Sequence, residues 1–227
     1  MIDFVKRLKG VSTREAISIL GGEKDDRPNV APMVIKARRN PYDGIEPIDP
    51  EIEIEPGQWV ELYNPKRAGD KWEWGKFKAE MVFPYRRADG TLFGYVLRRS
   101  LPDGGKETPM VMWVRLRNGK KCWSRFPFPK PRPLYGLDQM RDGQVILVEG
   151  EKSRDALAAA SGRNVLTWPG GTQGIKYCDW SPLAGRSVVI WPDADKPGMK
   201  AAINIASILT ELKATPRILD VLGEVAA

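Results

Sequence analysis

Val145-Ile146-Leu147-Val148-Glu149-Gly150-Glu151-Lys152 is answered further along by Val188-Val189-Ile190-Trp191-Pro192-Asp193-Ala194-Asp195-Lys196-Pro197-Gly198. Each is an apolar, β-branched run that stops abruptly on acid and glycine. A run this short and apolar reads as a strand buried on both faces. The Ala-rich segment 153–160 after the first, and 199–210 after the second, read as helices. Strand, acidic turn, helix, twice over, is the grammar of a doubly wound parallel α/β sheet. Further strands are expected at 164–168 and 216–221. In such sheets the loops at the carboxyl ends of neighbouring strands meet at one edge. That places Glu149, Asp193 and Asp195 together. Three carboxylates in one crevice repel one another unless a cation sits among them. Oxygen-only ligation by few protein groups suits Mg²⁺, or Mn²⁺, sharing its shell with water and phosphates. The competing reading is an ordinary nucleotide-binding α/β domain whose acids merely begin helices, where the dipole favours them.

Working outward, the chain of 227 residues is 42% apolar, enough for a core. No apolar run approaches a membrane span, and the N-terminus has no signal-peptide core. Two cysteines, Cys122 and Cys178, are too few for a disulfide framework and have no zinc-site spacing. They read as buried thiols in a reducing cytoplasm. Histidine is absent, which excludes Ser-His-Asp and Cys-His catalysis and removes the commonest zinc ligand. The net charge of +7 is unevenly spread. Residues 51–140 hold seventeen basic against eleven acidic side chains, while 141–227 hold ten of each. A basic segment beside a carboxylate cluster suits a polyanion held near a metal. A basic, solvated face with no ligand would look the same from composition.

Four parts are expected along the chain. Residues 1–22 read as a helical hairpin: Ile2, Val5 and Leu8 on one helix face, a stop at Gly10, then a capping box of Ser12 and Glu15 opening a second helix. Residues 23–50 are polar, Pro-containing and aperiodic, and read as a mobile linker. Residues 51–140 read as a basic, mainly antiparallel β subdomain, with strands at 58–63, 77–85, 92–98, 111–117 and 121–126. Asn118-Gly119 between two of these is a hairpin signal. Trp72, Trp74, Trp113 and Trp123 interleave with Lys and Arg there. Such a surface can stack bases and hold phosphates, and a core role would use the same residues. Residues 141–227 hold the parallel sheet. Within it Pro169-Gly170-Gly171-Thr172-Gln173-Gly174 is a Gly-rich strand end. It reads as a tight turn or a phosphate cradle, but not as a Walker loop.

Glu-Gly at one strand end with Asp-x-Asp-x-x-Gly at the next resembles the Toprim domain. That domain is shared by bacterial-type primases, topoisomerases and some nucleases. The resemblance covers 144–222. Two segments upstream extend it. Phe83-Pro84-Tyr85-Arg86, then Asp89-Gly90-Thr91-Leu92-Phe93-Gly94-Tyr95-Val96-Leu97-Arg98, resembles the primase run that ends on an arginine facing nucleic acid. Pro133-Leu134-Tyr135-Gly136-Leu137 resembles the lead-in to the Toprim strand. Residues 1–22 look like the piece that follows the primase zinc ribbon, so the resemblance implies a chain that begins after that module. Departures are plain as well. Val96-Leu97 stand where the family has a glycine pair. The Trp-rich 111–125 replaces another family segment. Ser153 stands where chromosomal primases carry aspartate, leaving Glu151 or Asp155 as substitutes. The departures point to a phage, plasmid or mobile-element branch.

The resemblance implies a DNA primase core: synthesis of short RNA primers on single-stranded DNA from ribonucleoside triphosphates. Asp193 and Asp195 would bind Mg²⁺ directly. Glu149 would act as ligand or metal-linked acid/base. Arg86, Arg98, Arg99 and Lys106 are candidate nucleic-acid contacts. Gly150, Lys152, Gly170 and Gly171 are candidate phosphate contacts. Asp220 and Glu224 are the acids available beyond the fourth strand. A replicative helicase, fused or separate, is the expected partner, with the C-terminus cut inside or just after the domain. Two rivals use the same residues: a metal-dependent Toprim nuclease, and a DNA-binding module with a decayed acidic site.

Overall fold

The structure, a computed structural model, describes residues 2–20 and 40–221. It divides into two compact units, Met1–Arg39 and Asn40–Ala227. In the first, α1 (Ile2–Lys9) and α2 (Thr13–Ile19) form the expected pair of helices. The capping box is present: Ser12 N donates to Glu15 Oε2 at 2.8 Å and Glu15 N to Ser12 Oγ at 3.4 Å. Ala16 is buried, whereas Phe4, Leu8, Ile19 and Leu20 remain exposed. Most of the expected linker, and Glu224, lie outside the described residues.

The second unit opens with a correction. Residues 40–50, expected as mobile linker, are tied to the β subdomain. β1 (Glu46–Pro47) pairs antiparallel with β7 (Met110–Arg115). Ile48 N donates to Trp113 O at 3.0 Å, and Glu46 and Asp49 form ion pairs with Arg115 and Arg87. Only Glu46 and Pro47 of the segment join the sheet, too short a run to show a period.

The other strands of this sheet are β2 (Trp59–Tyr63), β3 (Trp74–Lys78), β4 (Met81–Arg86), β5 (Leu92–Ser100), β6 (Lys106–Glu107) and β8 (Lys121–Ser124). They run in the order β3-β2-β8-β7-β5-β4, with β1 on β7 and β6 on β5. The single expected strand 77–85 is two strands, because the chain leaves the β2 edge at Ala79-Glu80 and joins the opposite edge as β4. Pairing is antiparallel except for a one-residue parallel contact of β2 with β8. Side chains alternate between two apolar layers. Leu62, Phe77, Tyr95, Leu97, Val111, Trp113 and Trp123 fill one. Phe83, Tyr85, Val96, Met112, Val114, Phe126 and Phe128 fill the other, where Tyr135 joins them. This is the period-2 pattern of strands covered on both faces.

The second sheet is fully parallel, in the order β10-β9-β11-β12. These strands are β9 (Val145–Val148), β10 (Val165–Leu166), β11 (Ser187–Trp191) and β12 (Thr215–Ile218). The crossovers are α3 (Glu151–Ser161) and α5 (Lys196–Glu211). A short turn of helix, α4 (Gly171–Gly174), follows β10. Val145, Leu147, Val188 and Ile190 pack against Ala201, Ala202, Ile205 and Leu209 of α5. Ile146, Val148 and Val189 pack against Leu157 and Ala158 of α3. Each residue of β9 thus meets a helix on one side or the other, which is why its run carries no polar alternation.

Candidate active site

The register of two parallel strands builds the site. Val148 of β9 lies opposite Trp191 of β11, so the turns that follow both strands leave the sheet side by side. Glu149 is on the first turn and Asp193 on the second. Both line one cleft of about 220 Å³, with Ser153, Leu157 and Trp191. The Glu149 carboxyl is raised above its usual range, first by burial and then by the negative charges of Asp193 and Asp195. Both aspartates thus act on Glu149 through charge. Among the described residues, no three Asp, Glu, Cys or His side chains converge as a ready-made metal cage.

Local structure fixes each turn. Gly150 has φ of 86°, open to glycine at little cost, and its N–H donates to the buried Thr167 Oγ1 at 3.1 Å. Asp195 is the N-cap of α5 and accepts from Gly198 N at 2.6 Å. Gly198 is required sterically. A Cβ there would lie 2.6 Å from Asp193 O and 3.0 Å from Asp195 Oδ1. The Asp-x-Asp-x-x-Gly spacing is therefore a helix cap as well as an acid pair.

The Gly-rich loop comes to the same edge. A Cβ on Gly171 would lie 3.5 Å from Glu149 Oε1, and one on Gly170 would lie 3.2 Å from Arg132 Nη1. Lys106, exposed on β6, acts on Glu149 and Glu151 electrostatically, lowering both against the causes that raise them. Lys152 is exposed on α3.

Glu151 and Asp155 hold the two sheets of the second unit together. Tyr85 of β4 donates its hydroxyl to Glu151 Oε1 at 2.8 Å. Tyr135 donates to Asp155 Oδ2 at 3.1 Å. Burial, then the neighbouring acid, raises both phenols, Tyr85 strongly. Burial also raises the Glu151 carboxyl, against the Tyr85 hydrogen bond. Both acids, on either side of Ser153 in the sequence, are thus engaged by buried tyrosines.

The basic candidates separate. Arg86 is paired with Glu53 at 3.2 Å and donates to Gly90 O. Arg99 is paired with Glu107 at 2.6 Å and stacks over Phe77, its carbon 4.5 Å from the ring centroid. Arg125 takes the other Glu107 oxygen at 2.5 Å. Burial raises the Glu107 carboxyl, but these two guanidiniums outweigh it and bring it below its usual range. Arg98 lies opposite Met81 and, among the described residues, has no carboxylate partner.

Two groups escaped the sequence reading. Arg154 is buried and donates to Val165 O at 2.8 Å, Gln139 Oε1 at 2.9 Å and Asp155 Oδ1 at 3.0 Å. In sequence it looks like one more solvated helix charge. Lys130, Arg132 and Lys176 gather round Tyr177, at 3.8, 5.0 and 5.0 Å from the ring centroid. The alternation Lys130-Pro131-Arg132-Pro133, two cations spaced by prolines, was the available signal.

No protein-family model matches the chain, and no curated protein matches it. Among solved structures it is similar to the primase fragment of the bacteriophage T7 primase-helicase protein, at 16% identity and TM-score 0.41, covering 61% of this chain and 52% of that one. It is similar to the Aquifex aeolicus primase, zinc-binding and RNA polymerase domains, at 22% identity and TM-score 0.45, covering 66% and 36%. It is also similar to a DNA primase domain from Pseudomonas aeruginosa, at 20% identity and TM-score 0.44, covering 70% and 48%. The chain spans about half or less of each of these solved chains.

Proposed function

We propose that the chain is the catalytic core of a DNA primase, joining ribonucleotides on a single-stranded DNA template. The observation that carries this reading is the parallel register of β9 and β11, which sets Glu149 beside Asp193 and within the field of Asp195. A half-buried carboxyl raised by burial and then by two neighbouring acids marks a place where a divalent cation relieves repulsion. The donor set fits Mg²⁺ or Mn²⁺: hard oxygens, few of them, with room for water and phosphate. Asp193 and Asp195 would hold the ion, and Glu149 would complete its surroundings. When bound, such an ion neutralises phosphate charge and lowers the cost of charge on the attacking and leaving oxygens.

The remaining work falls to the chain's own residues. Glu149, with its raised pKa, is placed to accept a proton from an attacking hydroxyl. Lys106, and the cations Lys130, Arg132 and Lys176, would hold triphosphate or polynucleotide phosphates. Gly170 and Gly171 leave the backbone of their loop open to such a group. Arg98 is the remaining candidate for the template. A replicative helicase, fused or separate, is the partner this activity calls for. No helix among the described residues is long and apolar enough to cross a membrane, and cytoplasmic replication is the setting proposed.

The test is direct. The chain is incubated with single-stranded template, Mg²⁺ or Mn²⁺ and labelled ribonucleotides. New oligoribonucleotides that vanish in Asp193→Ala support the reading. A shortened template assigns the same carboxylates to a nuclease, and metal-indifferent binding without product leaves a binding module. Either result overturns primer synthesis.

A further inference from the structure

At the opposite edge of the β subdomain from β4, strands β2 and β3 carry a second feature that the carboxylate site does not use. A cleft of about 420 Å³ is lined by Leu62, Asn64, Arg67, Trp72, Gly75 and Arg125. Its volume falls in the range of ordinary ligand sites. Its chemistry is uneven in an informative way: an indole, an apolar floor and two guanidiniums, with no carboxylate among the lining residues.

Trp72 is 58% exposed. Lys71 Nζ stands 5.0 Å from its ring centroid. Arg67 reaches its only ion-pair partner among the described residues, Asp70, at 3.9 Å, and both are about half exposed. Such a pair is worth little in water, so the guanidinium is available to a better anion. On the same two strands Trp59 is 65% exposed, with Lys78 Nζ 6.0 Å from its ring. An exposed indole costs solvation unless something stacks on it, and each of these has a lysine beside it.

Gly75 is the residue that turns this from a surface into a site. It lies in the middle of β3, opposite Leu62, where glycine weakens a strand. Nothing in the fold demands it. A Cβ there would meet no atom within 4 Å, and its backbone is not left-handed. A side chain would instead stand in the cleft. The missing Cβ leaves flat backbone beside an indole, the shape that admits a planar ring.

We infer that this cleft binds a base of a single-stranded polynucleotide, stacked on Trp72 over the Gly75 backbone, with the adjoining phosphates on Arg67 and Lys71. The charge selects a polyanion and the exposed indole selects unpaired bases, since a duplex offers none. The proposal deepens the template-binding part of the proposed function and rests on it. It adds an anchor at the sheet edge away from the acids.

The test uses the whole chain and a fluorescein-labelled oligothymidylate, read by anisotropy without divalent metal. Trp72→Ala and Gly75→Val should each weaken binding by about tenfold, the usual scale for loss of one stacked base. Gly75→Val adds its side chain into open space, so its thermal melting should match the parent chain. It keeps the test decisive should Trp72→Ala fold poorly. A labelled duplex should bind both variants as it binds the parent chain. Unchanged oligothymidylate affinity in Gly75→Val overturns the proposal. So does an equal loss for duplex, which would reduce the cleft to a patch of charge. Asp193→Ala should bind oligothymidylate as the parent does while losing nucleotide transfer. Failure of the anchor and failure of the carboxylate reading therefore give different results.

Discussion

The Tyr85 hydroxyl lies 2.8 Å from Glu151 Oε1 and ties an antiparallel strand to the first helix of the parallel sheet. Tyr85 is buried and Glu151 half-buried, and Glu151 directly follows the Glu149-Gly150 turn. Tyr85→Phe keeps the ring and removes the donor, leaving a half-buried carboxyl without its partner. The expected loss is roughly 1–3 kcal/mol, measured by urea unfolding. A loss within error would show that water replaces the phenol.

The same pair sets a pH dependence. Burial raises the Glu151 carboxyl above its unfolded value of 4.5. Its contribution to stability is therefore fully present below pH 4.5 and is lost as pH rises through the folded pKa. Glu151→Gln can still accept from Tyr85 but does not titrate. Its unfolding free energy should fall less than the parent's across that window. Parallel pH profiles for the two chains would contradict the assignment.

Lys106 lowers the Glu149 carboxyl, which burial, Asp193 and Asp195 raise. Lys106→Met removes that opposition. If Glu149 works as a base, the acidic limb of the rate–pH profile should move to higher pH, with the limb itself retained. A uniform fall at every pH would place Lys106 in phosphate binding alone.

Asp193 and Asp195, both assigned to the cation in the proposed function, should separate in stability. Asp195 caps α5 and Asp193 does not. Asp195→Ala should cost about 0.5–2 kcal/mol of stability. Asp193→Ala should leave the melting temperature nearly unchanged. Equal losses in thermal melts would mean that the cap is not what holds the turn.

Arg98 and Arg99 are neighbours in sequence with different fates. Arg99 is held by Glu107 and by the Phe77 ring, while Arg98 has no acid partner among the described residues. Arg98→Ala should reduce the salt slope of single-strand binding by about one. Arg99→Ala should leave the slope nearly unchanged and lower stability. The opposite pattern in a salt titration would reverse their roles.

Much of the site was legible because it is local. The runs 145–148 and 188–191 are apolar on every residue because helices cover both faces of their sheet. Glycine marks each turn for a stated reason: positive φ at Gly150, and lack of space at Gly198. The capping box of Ser12 and Glu15 was equally local. What the sequence could not show were relations between segments far apart. The run 77–85 shows nothing at Ala79-Glu80 to say that its halves join opposite edges of a sheet. Residues 40–50 look like linker because their hydrogen bonds go to strands formed much later in the chain. Arg86 and Arg99 read as nucleic-acid contacts, Glu151 and Asp155 as stand-ins for an acid at Ser153, and Arg154 as one more helix charge; each found a partner that only folding supplies. Spacing along one strand or helix is set by backbone geometry, so the amino-acid order alone decided the acidic turns and the parallel sheet. Which charges are left free to meet a polyanion depends on long-range pairing and burial, and that was decided by the tertiary structure.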